Sequence, residues 1–348
     1  MCAMHRLMEA SVPSLFDFCV LGNGPLGAAA AWQLAREGAS VCLIGARHDE
    51  RVSSHNDHSR IYRTRHPDPY WTALAEANLP MMLELEQRTG IRFFRSTPVY
   101  YDGIGNVPLS DQPYLTRNGL NHQDPCGGII DPLAYIRALN KAAREQGAII
   151  RSTVVTSIHT LTCSHQVHTV DGNVARCKAI ADFRGLYAKP IGQGTTVART
   201  TLLIRHPPFH EPHCFIRTVL LDPQVGEFFA CSHLDEDSST QTSKFVLADA
   251  QPHLLNSSET LQAWFQDGYR HHPKLPWALD EIRRMGFEIQ DLRLAPCAFT
   301  KTYDGRPKVQ VDQSHLRFYG CNGGAVKCAQ SLSRQVLTQG LMQAISTS

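Results

Sequence analysis

The sequence predicts an α/β (α+β composite) fold: a Rossmann-like domain assembled from separated segments, with a mixed-sheet domain attached. Three observations predict it. Residues 16–45 read as strand, glycine-rich turn, helix and strand; residues 131–158 read as helix then strand; and from about 200 to 290 short strand-like runs are broken by Pro, Asp and Gly. "FDFCVLG" (16–22) is a short apolar run ending in glycine, hence a buried strand. "GPLGAAAAWQLAREG" sets alanine and leucine at helical spacing and offers Gly38 as its stop, and "ASVCLIG" (39–45) is a second apolar strand. Together they form a βαβ unit, which requires a parallel sheet.

Residues 48–66 are polar and predict a loop, whereas 68–90 predict a helix in two pieces, interrupted at Pro80. Gly147 marks the turn between the helix and strand of 131–158. "TTLLIRH", "CFIRTVLLD", "GEFFACSHL" and "SKFVLAD" predict strands of the second domain, and 257–272 a helix capped by Ser257 or Ser258. The strand "LRFYG" (316–320), the turn "CNGG" and a helical pattern then return the chain to the first domain. The expected division is 14–90, 128–200 and 291–348 for the first domain, and 91–127 and 201–290 for the second.

Composition narrows the classes of function. The 348 residues carry a formal net charge of +2 and no basic run with interleaved aromatics, which argues against a nucleic-acid partner. A hydrophobic fraction of 43% supplies ordinary globular cores. "MCAMHRLMEASVPSLFDF" lacks the apolar centre of a signal peptide, and no stretch reaches the length of a membrane span. The 11 cysteines occur singly, without CxxC pairs, which predicts free thiols and a cytoplasmic location.

"GNGPLG" (22–27) matches G-x-G-x-x-G through Gly22, Gly24 and Gly27. The three glycines permit a tight turn, a close approach of backbone to a diphosphate, and close packing of helix on strand. The strand before and the helix after make this a dinucleotide site. The acidic residue that normally ends the second strand is replaced by Gly45, followed by Ala46 and Arg47. Asp49 or Glu50 could substitute. Arg47 is either a binder at the adenosine end, suited to a 2′-phosphate and hence NADP, or a solvated arginine.

"SSHNDHSRIYR" (53–63) concentrates serines, histidines and arginines. On a helical turn, Arg60 and Arg63 would project from one side and grip a carboxylate or stabilise an anionic ring. Together with "GNGPLG", "CAFTKTYDGRPKV" and "FYGCNGGAVK", this loop resembles the monomeric sarcosine oxidase family of FAD-dependent amine oxidases, within the D-amino-acid-oxidase-like group. The shared pattern is a Ser-His-x-x-x-x-Arg-x-x-Arg loop, a Cys-x-x-Thr stretch, a glycine-rich turn and a lysine after it. The resemblance spans nearly the whole chain and is thin between 160 and 290.

The resemblance implies FAD as cofactor, attached covalently by a thioether from Cys297 to the flavin 8α carbon. It implies Arg63 and Lys327 as a clamp for the substrate carboxylate, Arg60 beside the flavin ring, and Ser54, His55, Gly323 and Gly324 lining the cofactor. The helix after "CNGGAVK" would aim its N-terminus at the flavin. Cys321 and Cys328 are expected to pack. His58 is a candidate base, although a substrate amine that binds deprotonated needs none.

Four departures accompany the resemblance. "GEFFACSHL" lacks the second lysine that promotes reaction with oxygen in the family, Phe299 replaces a tyrosine, Asn56 and Gly324 replace histidines, and "AIADFRGLYAK" (179–189) lacks a small-residue stretch. The expected activity is oxidation of the C–N bond of a secondary, cyclic or N-methyl amino acid to an imine, with electrons passed to oxygen as hydrogen peroxide or to another acceptor. A flavin dehydrogenase acting on a C–OH bond, a catalytically degenerate flavin-binding partner protein and an NADP-dependent reductase are the alternatives. A monomer acting on a small molecule, without a membrane, is expected.

Overall fold

The computed structural model describes residues 15–46, 59–66, 68–101, 107–108, 122–188, 194–207, 214–218, 225–232, 241–249, 253–255 and 257–347. The first part holds β1 (Leu15–Leu21), α1 (Pro25–Arg36), β2 (Val41–Gly45), β3 (Arg60–Tyr62), α2 (Pro69–Thr89), β4 (Phe94–Ser96), β5 (Val99–Tyr101), β6 (Val107–Pro108), β7 (His122–Asp124), β8 (Gly128–Ile130), α3 (Pro132–Glu145) and β9 (Ile149–Ser152). The middle holds β10 (Val155–Thr160), β11 (His165–Thr169), β12 (Val174–Asp182), β13 (Gly194–His206), β14 (Phe215–Thr218), β15 (Val225–Ser232), β16 (Gln241–Asp249), β17 (His253–Leu254), α4 (Ser258–Gln266) and α5 (Leu275–Arg284). The chain then runs through β18 (Asp291–Thr302), β19 (Lys308–Asp312), β20 (His315–Tyr319) and α6 (Ala329–Thr347).

The α/β architecture expected from the sequence is present. In the first sheet the order is β10-β11-β12-β1-β2-β9, with β20 also on β12 and β19 on β20. Its central pairs β12–β1, β1–β2 and β2–β9 are parallel, as the βαβ pattern requires. The second sheet runs β17-β13-β16-β15-β14-β5-β7-β6 with β18 on β13, and a small third sheet runs β3-β8-β4. Both β13, which passes through residues 200 and 201 without a break, and β18 lie in the second sheet.

Apolar helix faces cover the first sheet. Trp32 of α1, Tyr135 and Leu139 of α3, and Leu332 and Val336 of α6 join Val20 and Leu43 in one buried cluster. The second sheet has its own cluster, in which Phe228 and Phe245 meet Ala278 and Ile282 of α5. Burying side chains of this size contributes ~1.5–3 kcal/mol each, so each sheet has its own stabilising core.

Two local expectations change. α2 is one helix, with Pro80 inside it. Pro80 and Glu76, whose carbonyl loses its donor, both lie on the exposed side, where water can satisfy that carbonyl. Near Arg60 the backbone is a short strand, β3, rather than a helical turn. The cap of α4 is Ser257, reciprocated by Thr260 in a capping box.

The glycine turn explains itself sterically. A Cβ on Gly27 would sit 1.8 Å from the Gly22 carbonyl oxygen, and one on Gly22 would sit 2.6 Å from the Phe183 carbonyl oxygen. Neither neighbour can yield, since both atoms are backbone. We expect Gly27→Ala to cost about 3 kcal/mol or more, the upper end for overpacking. Chemical denaturation against the parent chain measures this, and an unchanged midpoint would contradict the packing described.

Candidate functional site

A cleft of about 540 Å³ starts at this turn. Gly22, Asn23 and Gly24 line one end with Gly45, Ala46, Thr153 and Val154; Phe183, Arg184 and Tyr187 form a side; Ala298, Phe299, Thr300, Cys321 and Ala325 close the other end. Gly27 lies beneath the turn, buried. Gly45 has its own reason to lack the expected acidic side chain, because a Cβ there would meet the Asn23 amide nitrogen at 2.3 Å. Where a small-residue stretch was expected, Asp182 is buried and holds Arg184 through both carboxylate oxygens, with the Arg184 Nη2 to Asp182 Oδ2 distance 2.6 Å. Arg184 is thereby fixed beside Gly22.

The far end is built by a strand clamping a turn. β18 pairs with β13 along its length, with Cys297 opposite Arg199 and Phe299 opposite Val197. The Thr300 hydroxyl oxygen accepts from the amides of Gly320 and Cys321, each at 3.2 Å, and the Thr302 amide donates to Asn322 Oδ1 at 3.0 Å. Gly320 and Gly323 take the left-handed conformation that the turn demands. The Arg199 guanidinium stacks 4.8 Å over the Phe299 ring, an interaction that needs no phenolic hydroxyl. A Cβ on Gly324 would come 2.5 Å from the Trp71 ring, so Trp71 fills the space of the histidine expected there.

Cys297 is half-buried and shares a strand face with Phe299, although its neighbours Ala298, Phe299 and Thr300, and not Cys297 itself, border the cleft. Cys321 borders the cleft, which goes beyond the packing role expected of it. Burial pushes the Cys321 thiol upward in pKa, so it stays protonated. The helix after the glycine turn also departs from expectation: the amides of Gln330 and Ser331 at the start of α6 donate to Asn78 Oδ1 of α2 at 2.9 and 3.1 Å. These donors are occupied inside the protein.

Two cations act on one histidine. Arg63 and Lys327 both act on His66, a residue the sequence reading passed over. The His66 Nδ1 accepts from the Asp68 amide at 3.2 Å, which leaves the ring proton on Nε2. Burial, then the charges of Lys327 and Arg63, push its pKa down from 6.5 to about 3, so it is neutral at pH 7. The segment after Arg63 is held by Asp124, fully buried at the end of β7. Its carboxylate accepts from the Thr64 amide (2.7 Å), the Arg65 amide (2.9 Å), the Thr64 hydroxyl (3.0 Å) and the Cys126 amide (3.1 Å).

A second missed residue is Lys244. Residues 226–232 of "GEFFACSHL" lie in β15, which has no lysine, but the adjacent strand β16 places Lys244 opposite Cys231. It is 4% exposed, and its ammonium donates to the Ser59 carbonyl at 3.4 Å. Arg60 Nη1 donates to the same carbonyl at 2.6 Å, so the two cations meet there. The signal lay in "SKFVLAD", where a lysine precedes an apolar strand and alternation turns it inward. Arg47, Ser54, His55 and His58 lie outside the described residues. Among the described residues no group of His, Cys, Asp and Glu could hold a metal, and no helix is long and apolar enough to cross a membrane.

Residues 17–106 match the family model described as FAD dependent oxidoreductase (DAO). No curated protein matches the sequence. Among solved structures, the open form of a single-residue variant of NikD, described as an unusual amino acid oxidase essential for nikkomycin biosynthesis, is 17% identical with a TM-score of 0.75, over 93% of each chain. L-proline dehydrogenase from P. horikoshii is 15% identical with a TM-score of 0.63, over 93% of each chain. Glycine oxidase from Geobacillus kaustophilus is 14% identical with a TM-score of 0.64, over 94% of this chain and 95% of that one. At these identities the likeness shows a shared fold.

The His66 pKa has a consequence for stability. A histidine whose folded pKa lies below its unfolded value opposes folding as pH falls, because only the unfolded chain gains the proton. The window runs from about 6.5 down to about 3. We expect His66→Gln to flatten the acid loss of melting temperature across that window. Parallel slopes for the two proteins would show that the ring is not shielded as described.

Proposed function

We propose that the protein is an FAD-dependent oxidoreductase of the amino-acid oxidase type, oxidising the C–N bond of a secondary, cyclic or N-methyl amino acid to an imine. One observation carries the reading: a cleft runs from a side-chain-free glycine turn to Ala325 after the last glycine turn, Lys327 follows two residues on, and Lys327 and Arg63 both act on one neutral histidine. The match of 17–106 to an FAD-dependent family supports it. The cleft residues fit FAD: Gly22 and Gly45 leave the backbone bare where a diphosphate approaches, Arg184 adds a fixed cation there, and Thr300 holds the turn at the other end.

When bound, FAD supplies the two-electron acceptor and passes the electrons to oxygen, giving hydrogen peroxide. The chain's residues bind and orient. Arg63 and Lys327 grip the carboxylate, and His66, being neutral, adds a donor without a third charge. Arg60 and Lys244, which share the Ser59 carbonyl, would supply positive charge to balance the negative charge that a bound flavin gains on reduction. Lys244 supplies the cation for oxygen that β15 lacks. In this reading the first sheet serves the cofactor and the second the substrate, with β18 carrying Cys297 between them. The reading does not depend on His58 or Arg47.

Anaerobic mixing with amino acids tests this directly. Bleaching of the yellow protein by N-methyl or cyclic amino acids, and not by 2-hydroxy acids, is the expected result. Bleaching by hydroxy acids instead would replace it with a C–OH dehydrogenase, no bleaching by either would indicate a degenerate binding protein, and a colourless protein would indicate a nicotinamide enzyme. Lys244→Met should slow reoxidation by oxygen ~100-fold or more while leaving flavin reduction within severalfold.

The colour also reports on attachment. Acid precipitation should keep the flavin in the pellet for the parent chain and release it for Cys297→Ala. Because Cys321 borders the cleft, Cys321→Ala belongs beside it. Its protonated thiol is a poor nucleophile, so that variant should retain the flavin, and release from it alone would move the attachment to Cys321.

A further inference from the structure

The clamp around Arg63 holds one polar group that nothing above uses. Tyr101 ends β5, and its ring packs with Val99, Ile129 and Ile216 in a buried apolar cluster that Ile61 also touches. The residue is 1% exposed, and its hydroxyl has no well-formed hydrogen bond among the described residues. That hydroxyl faces the Arg63 guanidinium. A guanidinium only donates, so it can satisfy the phenol oxygen but never the phenol proton. A buried O–H without an acceptor is costly, and such groups are normally paired.

Among the described residues, the nearby carboxylate is already engaged. Asp124 spends both oxygens on the amides of Thr64, Arg65 and Cys126 and on the Thr64 hydroxyl. Tyr101 is fixed from two sides: Tyr101 pairs with His122 of β7, and Ile216 of β14 lies beside it in register. Its backbone is thereby held by the sheet, and its ring by the apolar cluster around it.

We propose that Tyr101 is a substrate-binding residue whose hydroxyl donates to the carboxylate gripped by Arg63. This inference rests on the amino-acid-oxidase reading above. It adds a neutral donor from the second sheet to cations supplied by the loop and the last glycine turn. Burial raises the phenol pKa above its ordinary value against the opposing charge of Arg63, so the proton stays on the oxygen across the physiological range. The arrangement selects a flat carboxylate over an uncharged amide, because an amide NH2 turned toward Tyr101 and Arg63 would oppose donor with donor.

The test uses the flavin-loaded protein and two probes, pyrrole-2-carboxylate and pyrrole-2-carboxamide, with binding followed by calorimetry and by the visible flavin spectrum. Tyr101→Phe keeps the ring and removes only the hydroxyl. We expect its dissociation constant for the carboxylate to rise about tenfold or more, as for a lost hydrogen bond to a charged group. Its weak binding of the amide should not change. The melting temperature without probe should change little, since Arg63 loses an acceptor while an O–H without one is removed. Unchanged carboxylate affinity would overturn the proposal, and so would a lowered melting temperature with equal loss for both probes, which marks a structural hydroxyl. A parent chain that binds neither probe would fail the functional reading itself. Parent binding of the carboxylate with no effect in the variant fails only the role of Tyr101.

Discussion

The site depends on one steric constraint: where β1, β2 and β12 end, backbone must pass backbone with no side chain between. Gly22 lies under the Phe183 carbonyl, Gly27 over the Gly22 carbonyl, and Gly45 against the Asn23 amide, each closer than any Cβ could tolerate. Parallel pairing brings these ends together, since Leu21 faces both Ile44 and Asp182. The crossing opens one end of the cleft and sets the start of α1. It also removes the acidic side chain that comparable turns carry at the end of the second strand, because any Cβ at Gly45 would break the crossing.

The other end of the cleft depends on hydrogen bonds rather than on emptiness. Thr300 and Thr302 of β18 hold the turn 320–322, and β18 is itself held along β13. Charge is arranged with similar economy. Asp124 is buried within reach of the Arg63 segment, and among the described residues it accepts from three amides and the Thr64 hydroxyl, so it compensates positive charge without a hydrogen bond to the Arg63 guanidinium. His66 is kept neutral by burial and by the cations beside it, which spares the pocket a further repulsion. Arg60 and Lys244 share the Ser59 carbonyl, so two elements far apart in sequence present their charge at one place.

Much of this was legible in the sequence where the physics is local. The glycine spacing, the apolar runs around it and the stops at Gly38 and Gly147 depend on neighbours within a few residues, and both stops take positive φ. The Ser257 cap was readable for the same reason. What escaped depends on partners brought by topology. Pro80 signals a break only if its surroundings cannot satisfy Glu76, and the exposed face of α2 can. Arg60 and Arg63 suggested a helical pair, yet pairing of β3 with β8 extends the chain there. Lys244 showed in the sequence only as a lysine in an apolar strand, because its role depends on Ser59, far away in sequence. Gly324 looked like a loss until Trp71 was seen to fill the space.

The order of the strands also governs when this molecule can take shape. β1 is made early and finds β2 within a few residues, but its other edge waits for β12, and the far side of β12 waits for β20 near residue 315. The turn that closes the cleft, and the strand that holds it, come later than nearly everything they organise. During synthesis an apolar central strand therefore stands with an open edge while more than half of the chain is still to be made, the circumstance in which unpaired edges meet wrong partners. Pairings this distant in sequence also make folding slow, since the loop between them must close before any contact rewards it. A cleft formed from the first and last strands is thus the final feature to be completed, whatever the chain has already built between them.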